Sequence, residues 1–261
     1  MADSVAEPSM SCSTRRPTST RTTPELMDPL CAVRWVRTAH RAIHLQRDHL
    51  TFLDAATGDG DHGTNLARAF DLARAGLEGE DPTPRATVGS VLLATGETLR
   101  ATAGGASGAL QGGAWRAAGA ALHDEHAVDA SALADALRHG LATIQALGAA
   151  EVGDKTCVDA YAPAVEALEH AARAGANLYT ATAAAAAAAA AGARSTTALK
   201  ATRGRAYFHG WNGIGDQDPG AASTALIFGA LHDSFAEQRP PSAGWLEPAA
   251  TRSRCGRGRS S

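Results

Sequence analysis

Three carboxylates stand within eight positions in the stretch Asp54-Ala-Ala-Thr-Gly58-Asp59-Gly60-Asp61-His62-Gly63-Thr64-Asn65. On a backbone loosened by glycine, such crowding is costly unless a cation neutralises it. Mg²⁺ is the natural partner, because it takes one or two carboxylates together with water and substrate phosphates, and three carboxylates could serve two ions. A solvated turn is the alternative, since Asp-Gly pairs are ordinary turn formers. An EF-hand is excluded: counting from Asp59, the twelfth position is Phe70, where a bidentate Glu is required.

Three further stretches carry residues suited to anions. Gly104-Gly105-Ala106-Ser107-Gly108 can offer backbone N–H groups and a hydroxyl at a helix start, or can be a tight connection between helices. Gly148-Ala-Ala-Glu-Val-Gly153-Asp154-Lys155-Thr156 nearly spells a P-loop, but Asp154 intrudes and the preceding segment is helical by pattern, so that reading is rejected. Lys155, Thr156 and nearby amides can still hold anionic oxygens, or simply begin a capped helix. Arg203-Gly204-Arg205 can clamp phosphate or be surface charge, and Pro219 after Asp218 pre-sets a helix N-terminus. Among the remaining candidates, His40 and His44 are four apart with no third ligand in view, and the other histidines read as solvated or packed. Ser107 shows no His/Asp partner, and Cys157 is one unpaired thiol.

The elements that must position these stretches are helical. Of 261 residues, 44% are hydrophobic and 5% aromatic, and 24 Lys+Arg against 27 Asp+Glu give a net charge of −3. That balance disfavours nucleic acid. The scattered Cys12, Cys31, Cys157 and Cys255 argue against zinc and against a disulfide scaffold, and fit a reducing cytosol. The Ala183–Ala191 tract is too short and too weakly apolar to span a bilayer, so no membrane is expected. It reads equally as close helix packing or as an expansion without a role.

Apolar spacing predicts helices at 30–52, 64–78, 85–102, 107–123, 130–147, 156–174, 178–202 and 220–237. These form one all-α domain over 28–238, between disordered extensions at 1–27 and 239–261. Polar and glycine residues concentrate in the connections after helices 1, 3, 5 and 7. In an antiparallel bundle these fall at the same end and can converge.

Together, Gly58-Asp-Gly-Asp-His-Gly-Thr-Asn65, Gly104-Gly-Ala-Ser-Gly108, Gly153-Asp-Lys-Thr156, Arg203-Gly-Arg-Ala206 and Asp216-Gln-Asp-Pro-Gly-Ala221 closely resemble the nucleotide-binding L subunit of dihydroxyacetone kinase. The resemblance implies a barrel of eight antiparallel amphipathic helices with ADP or ATP and two Mg²⁺ at one end. It implies Asp54, Asp59 and Asp61 as metal ligands. His62, Gly63, Thr64, Asn65, Ala106, Ser107, Gly148, Arg205, Asp218, Pro219 and Gly220 would line the nucleotide, with Lys155 and Thr156 in the nearby loop. Cys157, close to the base, stands where the family commonly has Met.

Other departures are Asp216, Trp211-Asn212-Gly213, and Ala109-Leu110-Gln111-Gly112 in place of the usual Pro and aromatic. The resemblance further implies a dihydroxyacetone-binding K subunit as partner, a phosphohistidine M subunit that recharges a retained ADP, and room for a homodimer. It assigns no catalytic residue beyond the metal and phosphate ligands. Exchangeable ATP, or a nucleotide-dependent regulatory binding module, are the alternatives. The chain length and the Gly215-Asp-Gln-Asp-Pro-Gly220 string favour the retained ADP.

Overall fold

Four of the helices begin where the sequence supplies a side-chain cap. Asp28 accepts the Cys31 N–H at 2.7 Å to start α1 (Pro29–Leu45), whose first residue is the proline that a helix tolerates there. Thr87 and Ser90 form a reciprocal capping box on α4 (Val88–Thr102). Asp129 caps α6 (Ala130–Gly148) and Asn177 caps α8 (Leu178–Ser195). The remaining elements are α2 (Arg47–Thr57), α3 (His62–Glu78), α5 (Gly105–Ala121), α7 (Val158–Arg173), the five-residue α9 (Gly204–Phe208) and α10 (Pro219–Ala236). The computed structural model describes residues 26–78, 86–208 and 213–236.

Eight long helices close into a ring: α1 packs on α3, then α4, α5, α6, α7, α8 and α10 follow in order, and α10 returns to α1. Short connections make successive helices antiparallel, and an even number lets the seam between α10 and α1 be antiparallel too. This is the all-α domain that apolar spacing predicts, in the barrel form that the resemblance implies, and no strand occurs among the described residues beyond an isolated bridge between Met27 and Val128. Aromatic rings fill the centre. Trp35 lies 4.2 Å from Trp115, whose other side meets Phe70, and Tyr161 stands edge-on to Phe228. The Trp35 indole N–H is satisfied by the Ile227 carbonyl at 3.0 Å.

Several boundaries differ from the sequence reading. The first predicted helix is two: Gln46 leaves helical geometry (φ −105°, ψ 9°), and α2 then runs on to Thr57, burying Leu50 and Leu53. Asp54 therefore sits on a helix end rather than in a loop. The seventh stops at Ser195, not 202, because the Ser195 and Thr196 hydroxyls bond back to the Gly192 and Ala193 carbonyls and a single 3₁₀ turn (Thr196–Ala198) follows. Met27, placed by the sequence in the N-terminal extension, is buried and exchanges two backbone hydrogen bonds with Val128. Leu26 beside it is exposed, and residues 1–25, 239–261 and Trp211-Asn212 lie outside the described residues.

The alanine tract has a structural use. Ala181, Ala185, Ala189 and Ala193 form a buried stripe at four-residue spacing, by which α8 meets α7 and α10. At Gly192 a Cβ would lie 2.0 Å from the Asp159 carbonyl oxygen of α7. That carbonyl loses its usual helical donor because residue 163 is proline, so the two helices close where one backbone hydrogen bond is missing.

Candidate functional site

The connections α2–α3, α4–α5, α6–α7 and α8–α10 meet at one rim and line a single cleft. On its acidic wall, buried Asp54 accepts the backbone N–H groups of Asp61 at 2.9 Å and His62 at 3.1 Å through Oδ2. The intervening turn requires Gly58, where a Cβ would strike Asp54 Oδ1 at 2.4 Å, and Gly60 at φ 72°. One carboxylate oxygen from each of Asp54, Asp59 and Asp61 falls within 4.8 Å of the others.

Asp59 is ion-paired to Arg205 of α9, and that hydrogen bond holds its carboxyl below the usual range. Burial, then the neighbouring Asp59 charge, pushes Asp61 up. Three hard oxygen donors with a guanidinium already drawn to one of them form a fitting set for a divalent cation.

His62 opens α3 and is buried between two hydroxyls, Ser107 Oγ at 2.8 Å from Nδ1 and Ser223 Oγ at 2.9 Å from Nε2. Burial lowers its pKa, so the ring is neutral. The Ser223 O–H is engaged with the Gly220 carbonyl, so Ser223 accepts from Nε2–H and Ser107 donates to Nδ1. Ser107 thus does have a histidine partner, contrary to the sequence reading. With no carboxylate behind the imidazole and its basicity reduced, the pair is a positioning link rather than an activated nucleophile.

Opposite the carboxylates, α5 starts at Gly105 with no side-chain cap, after Gly104 and Gly105 at φ 70° and 53°. Its uncapped first-turn amides belong to the cleft wall at Ala106 and Ser107, which makes this the anion-attracting side.

The third wall is held by an internal strut. Lys155, buried and at φ 63°, donates its ammonium to the carbonyls of Thr196 and Asp216, tying the α6–α7 connection to α8–α10. Desolvation lowers its pKa. Two of its three ammonium donors are taken by these carbonyls, so it braces the cleft wall that it also lines. Asp159 supports the same turn by accepting from Gly153 N–H at 2.6 Å and Thr156 N–H at 2.7 Å. Asp218 caps α10 by accepting from Ala221 N–H at 2.7 Å, and burial pushes its carboxyl up to about 7. Burial likewise pushes the Cys157 thiol up to about 12, which leaves it unreactive.

Of the residues singled out in the sequence, Asp54, Asp59, Asp61, His62, Asn65, Ala106, Ser107, Lys155, Thr156, Cys157, Arg205, Asp218, Pro219 and Gly220 line the cleft. Gly63, Thr64 and Gly148 do not. Gly63 lies against α2, where a Cβ would be 2.0 Å from the Arg47 carbonyl oxygen, and Thr64 faces solvent. Sequence reasoning missed Gln111, which lines the cleft and donates to Thr224 Oγ1 at 3.0 Å, and Ser223 behind His62. Gln111 lies one helical turn after Ser107, a spacing that could have revealed it.

A ring of eight helices with carboxylates and uncapped amides at one rim defines a class, and comparison with known proteins agrees with it. The DAK2 domain matches residues 56–233, and the chain belongs to this family. Within it the chain falls in the DhaL family. It is 34% identical over 200 residues to the ADP-binding subunit DhaL of PEP-dependent dihydroxyacetone kinase 1 of Listeria innocua, covering 77% of this chain and 93% of that one. To the corresponding Escherichia coli subunit it is 33% identical, covering 76% and 93%.

It is also 39% identical to L-erythrulose 1-kinase of Mycolicibacterium smegmatis over 69% of this chain, but only 31% of that longer protein. The dihydroxyacetone kinase of C. freundii, solved with AMP-PNP and Mg²⁺, superposes with a TM-score of 0.61 at 28% identity, covering 88% of this chain and 38% of that one. Among the described residues, no helix is long and apolar enough to cross a membrane.

Proposed function

We propose that this chain is the nucleotide-binding subunit of a kinase for dihydroxyacetone or a related short ketose, working in the cytosol. The observation that carries the reading is the meeting, in one cleft, of three carboxylates, an arginine-bearing turn and the uncapped start of α5. Relatives bearing the name ADP-binding subunit, and a related structure solved with a nucleotide analogue and Mg²⁺, support it.

Asp54, Asp59 and Asp61 would hold two Mg²⁺ ions, which when bound offset the phosphate charge and align its oxygens for transfer. The chain's own residues do the rest. Asp54 shapes the turn from below through two backbone N–H groups, so its carboxylate is in place before any ligand arrives. Arg205, held by Asp59 in the free protein, can exchange that carboxylate for a phosphate oxygen. The Ser107 hydroxyl proton is spent on His62, so toward an anion this turn offers backbone N–H groups. No side chain is assigned as a general base, and positioning with electrostatics supplies most of the catalysis. The ketose would sit on a separate K subunit, and a retained ADP would be recharged by a phosphohistidine M subunit.

The test is reconstitution. The purified chain is denatured and its small molecules analysed for ADP; the native chain is then mixed with K and M subunits, dihydroxyacetone and phosphoenolpyruvate with its phosphorelay proteins. Triose phosphate that depends on this chain supports the reading. Turnover with ATP and K subunit alone would replace the recharging step by nucleotide exchange. Bound nucleotide without turnover under either regime would leave a regulatory binding module instead.

A further inference from the structure

Away from the rim, α1 and α3 bring together a second group of ligand-type side chains. His40 and His44 stand one turn apart on α1, and Asp71 reaches them from α3. Both imidazoles direct Nε2 at the same carboxylate oxygen, His40 at 2.8 Å and His44 at 3.0 Å from Asp71 Oδ1. The ring centres are 4.5 Å apart, and the three ligand atoms lie within 4.8 Å of one another. The third ligand that the sequence did not reveal is supplied by the neighbouring helix. The group is open to solvent, with side-chain exposures of 17% for His40, 36% for His44 and 48% for Asp71, so an ion has a path in.

We propose that His40, His44 and Asp71 form a binding site for a borderline transition-metal ion, with Zn²⁺ as its occupant. Two imidazoles and a carboxylate are the donor set of three-ligand zinc sites, with water in the fourth position. Bond lengths of about 2.0–2.2 Å in tetrahedral geometry separate ligand atoms by roughly 3.3 Å. The Nε2–Oδ1 pairs therefore need to part by only a few tenths of an ångström as the ion replaces the bridging protons.

A neutral imidazole accommodates this by moving its proton to Nδ1, with no change of charge. The single carboxylate then leaves the bound ion with one net positive charge. Imidazole donors disfavour Mg²⁺, so this site and the oxygen-only cluster at the rim sort different cations. An ion here would clamp α1 to the helix whose first residue is His62.

The experiment uses the full chain without a histidine tag, with excess Mg²⁺ to fill the acidic rim. Zn²⁺ binding is measured by equilibrium dialysis with elemental analysis, and Co²⁺ binding by its visible spectrum. One equivalent of Zn²⁺, an intense four- or five-coordinate Co²⁺ spectrum, and a melting temperature raised by about 5 °C at saturating Zn²⁺ are expected. His44→Ala and Asp71→Asn should each weaken Zn²⁺ binding at least tenfold and abolish the Co²⁺ spectrum, with helical circular dichroism unchanged. Asp61→Asn should leave both in place. Unchanged Zn²⁺ uptake in His44→Ala, a weak six-coordinate Co²⁺ spectrum, or loss of uptake in Asp61→Asn alone would overturn the site.

Discussion

The acidic cluster at the rim and the histidine cluster on α1 and α3 each gather three metal-type ligands, by opposite means. Asp54, Asp59 and Asp61 are near neighbours in the chain, and the backbone brings them together: a helix end, two glycines and the amides that Asp54 captures. His40, His44 and Asp71 are up to 31 residues apart, and helix packing brings them together. The first can adjust as ligands and phosphates arrive, because its Asp59 is exposed and paired with an exposed guanidinium that a phosphate can draw away. The second is as rigid as the two helices. A loop-built cluster suits a cation that must share its coordination with a changing substrate, whereas a helix-built one suits a cation that stays.

The largest effect that separates them is expected from Asp54→Asn. It removes a ligand and weakens the acceptor that shapes the turn, so Mg²⁺-nucleotide affinity measured by calorimetry should fall more than about 100-fold, near 3 kcal/mol. Asp71→Asn should change that affinity less than twofold. Equal losses from both would mean that the two clusters are one coupled unit.

Gly63→Val comes next. Any Cβ there meets the Arg47 carbonyl, so α2 must retreat from α3, with an expected cost of about 2–3 kcal/mol in urea unfolding. The rim should lose nucleotide affinity while His40 and His44, on α1, retain Zn²⁺.

This contrast also explains what could be read in the sequence. The acidic turn was visible because its ligands are contiguous, and parity of the connections placed Gly104–Ser107, Lys155 and Arg205 at the same end. Helix periodicity gave the helices and a single all-α domain, and the resemblance supplied the barrel. The break at Gln46 was invisible, since no proline or glycine marks it, and so was the position of Asp54 on a helix end. The partner of His40 and His44 could not be seen, because a contact between α1 and α3 leaves no local trace. The bracing contacts of Lys155 were hidden for a related reason: only the fold shows that its ammonium reaches the Thr196 and Asp216 carbonyls.

Asp218 tests how far the rim is tuned by burial. A carboxyl raised from the ordinary range to about 7 keeps its proton in the folded chain while the unfolded chain loses it near pH 4. The stability associated with the protonated form is therefore present below about pH 4, declines as pH rises toward 7, and is fully lost above it. Asp218→Asn, which keeps an oxygen for the Ala221 N–H, should raise the melting temperature of the nucleotide-free chain by several degrees at pH 8 and by less at pH 5. A difference independent of pH would show that Asp218 is ionised throughout and is held by Lys155.

The smallest effect is expected from Arg205→Gln, and it discriminates most finely. The guanidinium occupies Asp59 in the free protein, so its removal frees a metal ligand and takes away a phosphate clamp at the same time. Affinity for Mg²⁺ alone should rise a few-fold, since an exposed ion pair is a weak competitor. Affinity for Mg²⁺ with ADP should fall, because a charge-assisted donor to phosphate is gone. Calorimetric titrations with and without ADP would show the two changes with opposite sign. If both fall together, Arg205 orders the acidic turn rather than standing in for the cation, and the adjustable character assigned to the rim cluster would belong to the arginine's loop instead.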